Sequence, residues 1–150
     1  MNLENSILPS LGRTAKVLDL MIEDKLYKEG IPLSKLQFVF LRVISGNNEQ
    51  PQSNLAELTG RDKTTFTRNI KTLERKELVV RKSSSTDKRV KLVCITPKGK
   101  EFLDKAMPFI CDMLDDVEAE ISEEERTKFL ETLNKVRNKL IEVRTKNNRE

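Results

Sequence analysis

The 150-residue chain carries 28 Lys and Arg against 24 Asp and Glu, a net charge of +4, with two cysteines and no histidine. That length suits one domain able to bury its own core. The lack of histidine excludes imidazole-based catalysis and the common zinc sites, and Cys94 and Cys111 are too far apart to read as a metal motif, so no metal and no cofactor are expected. The segment MNLENSILPSLGRTAK shows no charged flank followed by an apolar core, and nowhere do about 18 apolar residues run together. The expectation is a cytoplasmic, soluble protein with no membrane partner and with both thiols used for packing. Charge is uneven: residues 1–51 hold six cations and six anions, residues 52–100 thirteen and five, residues 101–150 nine and thirteen. The positive excess therefore lies in the middle third, which favours a polyanionic partner there.

Leu8, Leu11, Ala15, Leu18 and Ile22 step by three and four, predicting a first helix over 8–28 that Gly30 can end. Ser34 and Gln37 form a capping box for a helix over 35–45, with Leu33 and Phe38 as a hydrophobic staple. Gly46 and NNEQP break the chain. Ser53 is placed to cap a short helix with Leu55, Ala56 and Leu58, closed by Gly60. Asp62 is placed to cap the next helix on the amides of Thr64 and Thr65, and Phe66, Ile70 and Leu73 give that helix its apolar stripe. Two helices joined through Gly60-Arg61-Asp62 match a helix-turn-helix.

The stretch DKTTFTRNIK holds three threonines, each costing a helix interior roughly half a kcal/mol relative to alanine. With Phe66, Ile70 and Leu73 facing the core, Lys63, Thr64, Thr67, Arg68 and Lys71 fall outward and Thr65 lies at the margin. Threonine and arginine on such a face can bond phosphates and base edges in a major groove, which explains why the cost is tolerated.

The next stretch, LVVRKSSSTDKRVKLVCIT, holds two β-rich runs, Leu78–Lys82 and Val90–Thr96, the second with Val90, Leu92 and Cys94 alternating against Lys91 and Val93. The polar tip between them, flanked by Arg81, Lys82, Lys88 and Arg89, makes a basic wing. Such a wing can track phosphates and place an arginine in a narrow minor groove.

Residues 55–102, and in particular DKTTFTR, LERKELVVR and TDKRVKLVCITPKGK, resemble the winged-helix core of MarR-family transcriptional regulators. The resemblance implies that the helix after the turn reads the major groove and that Arg89, held by Asp87, enters the minor groove. Where the family usually has glycine at the exit of that helix, this chain has Glu77. A left-handed residue is costly with a side chain, so the helix is expected to end differently and tilt the wing.

Thr96 and Pro97 open a further helix as cap and first residue, within which Pro108 is expected to force a kink or break near 104–108. Ser122 and Glu125 form a second capping box. Beyond it Phe129, Leu133, Val136, Leu140 and Val143 repeat by four and three, a narrow stripe that calls for a partner helix.

The reading is a mainly α chain with a small β-hairpin wing. Residues 1–150 make one MarR-like domain, with winged helix-turn-helix at 31–96 and dimerisation helices at 1–30 and 97–150. Double-stranded DNA is the expected partner of a homodimer, contacted by Ser53, Arg61, Lys63, Thr64, Thr65, Thr67, Arg68, Lys71, Arg81, Lys82, Lys88 and Arg89. Leu8, Leu11, Leu18, Phe129, Leu133, Val136 and Leu140 form the dimer contact. The resemblance also implies a small anionic or aromatic effector, for which Tyr27, Phe38, Phe40, Phe102 and Phe109 are candidate lining residues. Two other readings stay open: a winged helix used for protein contacts without an operator, and a cysteine redox sensor. Against the second, no cysteine precedes Cys94, and Asp112, Asp115 and Asp116 beside Cys111 oppose a reactive thiolate. No nucleophile–base pair or glycine-rich phosphate loop appears, and EAEISEEER reads as a helix start favoured by the macrodipole, so an enzyme is not expected.

Overall fold

A computed structural model describes residues 6–147. In chain order the elements are α1 (Ile7–Lys28), α2 (Lys35–Gly46), β1 (Gln50–Pro51), α3 (Gln52–Leu58), α4 (Lys63–Arg75), β2 (Val79–Ser83), β3 (Lys91–Ile95), α5 (Pro97–Glu118) and α6 (Glu123–Asn147). They fall into two compact units, one through Ile110 and one from Cys111.

In the first unit, α1 ends where Gly30 takes φ +66°, with the Ile31 amide reaching back to Leu26 O at 2.9 Å. The Ser34–Gln37 box forms as the spacing predicts: Ser34 Oγ accepts from the Gln37 amide, and Gln37 Oε1 from the Ser34 amide. Phe40, Leu41, Ile44, Leu55, Phe66, Ile70, Leu73 and Val93 are fully buried and make the centre of the core. Phe40 and Phe66 meet there with ring centroids 5.0 Å apart.

The sheet runs β1-β3-β2, all antiparallel, with β2 and β3 in register from Val79–Ile95 to Ser83–Lys91. The two-residue strand β1 escapes a pattern search. It pairs Gln50 with Val93 and Pro51 with Leu92, and Asn48 Oδ1 accepts the Ile95 amide at 3.0 Å. This added edge, with α2 packed on β3, corrects the expected alternation: Val93, placed outside by pattern, is buried along with Cys94. Helix α2 ends at Gly46 as expected, and within NNEQP it is Glu49 that takes the left-handed turn, at φ 62°. Two further expectations change, the cap of α3 and the packing of Cys111. The cap position of α3 is Pro51, while Ser53 donates to its neighbour Asn54. Cys111 is exposed rather than packed.

The exit of α4 settles the question raised by Glu77. Glu77 adopts φ 62°, its amide reaches Glu74 O at 2.8 Å, and the Leu78 amide reaches Leu73 O at 3.0 Å. This is the Schellman ending glycine would give, so the helix does not end differently. Thr96 Oγ1 donates to Glu77 O at 2.7 Å, and Lys98 pairs with the Glu77 carboxylate at 2.7 Å, holding the costly conformation in place. Thr96 also caps α5, accepting the Gly99 amide at 3.0 Å. A Cβ on Gly99 would lie 2.2 Å from Leu78 O, so only glycine permits this approach. The helix α5 is not broken at Pro108 and continues to Glu118.

In the second unit, Ser122 and Glu125 form the expected box, and Arg126 lies 3.7 Å from Glu118. No described residue of α6 is buried. Of the residues expected to contact a second copy, Leu8, Leu18, Phe129 and Leu140 are exposed, and Leu11, Leu133 and Val136 half-buried.

Gly99→Ala is expected to lower stability by about 1–3 kcal/mol through this overlap. Gly46→Ala, into open space at the end of α2, is the control and should change the chemical-denaturation midpoint far less.

Candidate nucleic-acid interface

Helix α4 is fixed from both ends and from beneath. Asp62 Oδ1 accepts the Thr65 amide at 2.8 Å at its start, the Glu77 turn closes its end, and Phe66, Ile70 and Leu73 seat it on the core. Asn69, the one polar side chain buried among the described residues, donates to Thr65 O at 2.9 Å. What remains outward is Lys63, Thr64, Arg68 and Lys71, all exposed, with Thr65 and Thr67 half-buried at the edge. Thr72 spends its hydroxyl on Arg68 O at 3.2 Å, whereas Thr67 Oγ1 accepts from Gln52 Nε2 of α3 at 2.8 Å.

The wing tip is built from its own polar side chains. Ser84 Oγ accepts the Thr86 amide at 3.2 Å, the Ser84 amide donates to Val90 O at 3.0 Å, and Asp87 Oδ1 accepts the Arg89 amide at 2.9 Å. Asp87 thus fixes the backbone that carries Arg89, while the guanidinium is left exposed.

Ion pairing sorts the cations. Among the described residues, Lys63, Arg68, Lys71, Lys88 and Arg89 form no salt bridge, and Arg61 stands exposed in the turn before α4. Arg81 is different from the free cation that sequence suggests: it grips Glu74 of α4 with two bonds of 3.0 and 2.5 Å, which raise its pKa and tie the wing strand to α4. Lys82 lies 3.8 Å from Glu49. A cleft of about 330 Å³ opens between α3, the start of α4 and the wing, lined in part by Gln52, Ser53, Lys63, Arg89 and Lys91. Of these, Gln52 and Lys91 were missed from sequence. Lys91 sits at an outward hairpin position, which alternation alone could have flagged; Gln52 offers no such local signal.

The five aromatics expected to surround an effector differ in environment, with Phe102 and Phe109 half-buried. Phe38 and Phe40 are core, Tyr27 is 85 % exposed, and Phe109 lies under Lys25 Nζ at 5.4 Å from its ring centre.

A convex helix with hydroxyls and unpaired cations, beside a cation-lined cleft and an exposed arginine at a hairpin tip, suits the phosphates and groove edges of a duplex. Comparison with known proteins agrees. The MarR family model matches residues 33–91. The HTH-type transcriptional regulator MhqR of Bacillus subtilis (strain 168) is 29% identical over 126 residues, 84% of this chain and 86% of that protein. Among solved structures, the S. aureus MepR–DNA complex superposes with TM-score 0.84 at 19% identity, over 93% of this chain and 99% of that one. Bordetella bronchiseptica BpsR, described for the regulation of its DNA binding by 6-hydroxynicotinic acid, gives TM-score 0.81 at 19% identity, over 91% and 96%.

Hydrogen bonds from Thr65, side chain first and then amide, hold the Asp62 carboxyl below its ordinary value of 3.8. A depressed folded-state pKa contributes stability above the unfolded value and loses it as pH falls through the folded one. Asp62→Ala should therefore melt lower than the wild type at pH 7, and the gap should close below about pH 3.8, as thermal melts across pH will show.

Proposed function

Since the chain belongs to the MarR family of DNA-binding transcriptional regulators, we propose that it acts as a homodimeric repressor on a pseudo-palindromic operator, released by a small anionic or aromatic effector. The observation that carries this reading is the outward face of α4, where Lys63, Thr64, Arg68 and Lys71 stand unpaired on a helix anchored at both ends. Free cations supply affinity by releasing condensed counterions. Thr64, Thr65, Thr67 and Arg68 supply contacts to base edges, and Arg89 probes the minor groove.

A single winged helix reads too few base pairs for useful discrimination, which argues for two copies with half-sites about 10 base pairs apart. The apolar residues left exposed on α1 and α6, Leu8, Leu18, Phe129 and Leu140, offer the surface for the second copy. Residues 1–30 and 97–150 serve that assembly and residues 31–96 serve DNA. The first five and last three residues of those segments lie outside the described part. Control by a small aromatic acid is supported by what is described for BpsR.

Fluorescence anisotropy on the duplex upstream of the chain's own gene and on a shuffled duplex, from roughly 50 to 300 mM salt, tests the reading. We expect at least about a hundredfold preference for the upstream duplex and a steep salt slope. Arg89→Ala should weaken upstream binding roughly 10- to 100-fold, and Lys71→Ala should reduce the slope by about one without changing the preference. Weak binding that neither salt nor Arg89→Ala alters would overturn the reading. Sedimentation equilibrium should give twice 17.3 kDa for the wild type, and Leu140→Glu should shift it toward one copy.

A further inference from the structure

Among the described residues, the amide of Gln52 is the α3 side chain that hydrogen-bonds α4, and it lands on a hydroxyl at the edge of the outward face. Gln52 Nε2 donates to Thr67 Oγ1 at 2.8 Å. This has a consequence for polarity. A threonine hydroxyl inside a helix ordinarily donates its proton to the carbonyl four residues back, as Thr72 does to Arg68 O at 3.2 Å and Thr132 to Lys128 O at 2.9 Å. Thr67 instead has an oxygen lone pair occupied from the side by an amide proton. Its own O–H is then the group left to offer, and its rotamer is set by a partner fifteen residues away in sequence.

From this contact we infer that Gln52 is a positioning residue for base readout: it fixes the Thr67 hydroxyl as a hydrogen-bond donor toward DNA. The proposal rests on the operator-binding reading above. A donor meets acceptors in the major groove, namely purine N7, guanine O6 or thymine O4, and is mismatched with the amino groups of adenine N6 and cytosine N4. Gln52 also lines the cleft with Lys63, Arg89 and Lys91, so it stands where the backbone of a bound duplex would pass, yet it carries no charge. Its effect therefore belongs in selectivity at one base pair of each half-site more than in overall affinity.

In vitro selection from a randomised duplex pool tests this directly, using the full chain as wild type, Thr67→Val, Gln52→Ala and Gln52→Glu, each confirmed folded by thermal melting. Thr67→Val should erase the preference at one symmetric pair of positions and so mark what Thr67 reads. Gln52→Ala should broaden the preference at that same pair by about tenfold. The carboxylate of Gln52→Glu can only accept, so it draws the Thr67 proton and reverses the polarity; preference at that pair should move toward bases presenting an amino group. A Gln52→Ala consensus identical to the wild type at the marked pair would overturn the proposal, as would Thr67→Val leaving every position intact. Failure of the wild type to enrich any sequence would instead overturn the operator-binding reading, and the proposal with it.

Discussion

The placement of the outward helix depends on the contact between the exit of α4 and the entry of α5. Two consecutive carbonyls are received there by one residue: Glu77 O by the Thr96 hydroxyl at 2.7 Å and Leu78 O by the Thr96 amide at 3.1 Å. The missing side chain of Gly99 lets the first turn of α5 settle on that same Leu78 carbonyl. Because Glu77 reverses the chain in the left-handed region, the angle at which α4 leaves and β2 begins is set by a backbone conformation rather than by flexible packing. The sheet then has only one direction in which to run, and the wing follows it.

Local features of this design were readable in advance, and the reason is distance along the chain. The Ser34–Gln37 box, the Asp62 cap, the Ser122–Glu125 box and the apolar spacing of Phe66, Ile70 and Leu73 each involve partners within four residues, where helix geometry alone dictates who meets whom. The features that escaped are set by packing between elements. Arg81 meets Glu74 across the turn, Gln52 meets Thr67 across fifteen residues, and Gly99 meets Leu78 across twenty-one, none with a periodic signature. Val93 misled because strand alternation assumes one solvated face, whereas Val93 and its neighbour Cys94 are both buried. Residue type also groups Phe40 with Tyr27, while packing sends one to the core beside Phe66 and leaves the other in solvent.

Positive charge in the middle third is divided between two tasks that composition cannot separate. Arg81, Lys82 and Lys98 are paired with acids and hold the wing and its roots together, whereas Lys63, Arg68, Lys71, Lys88 and Arg89 are left unpaired among the described residues. The acids that do the pairing, Glu74, Glu49 and Glu77, therefore sharpen the field as well as the fold. They neutralise cations that support the frame and leave the remainder to point one way.

The order of the small sheet also bears on what the chain does at high concentration. Its outer strands are β1 and β2, the places where an unrelated strand could add and seed aggregation. On one side the edge is only two residues long and ends in Pro51, which has no amide to offer a newcomer. On the other, Arg81 and Lys82 are tied to Glu74 and Glu49, so a second wing approaching edge to edge would have to disturb two ion pairs. A hairpin that must project from the body to be useful is in this way kept from pairing with its own kind.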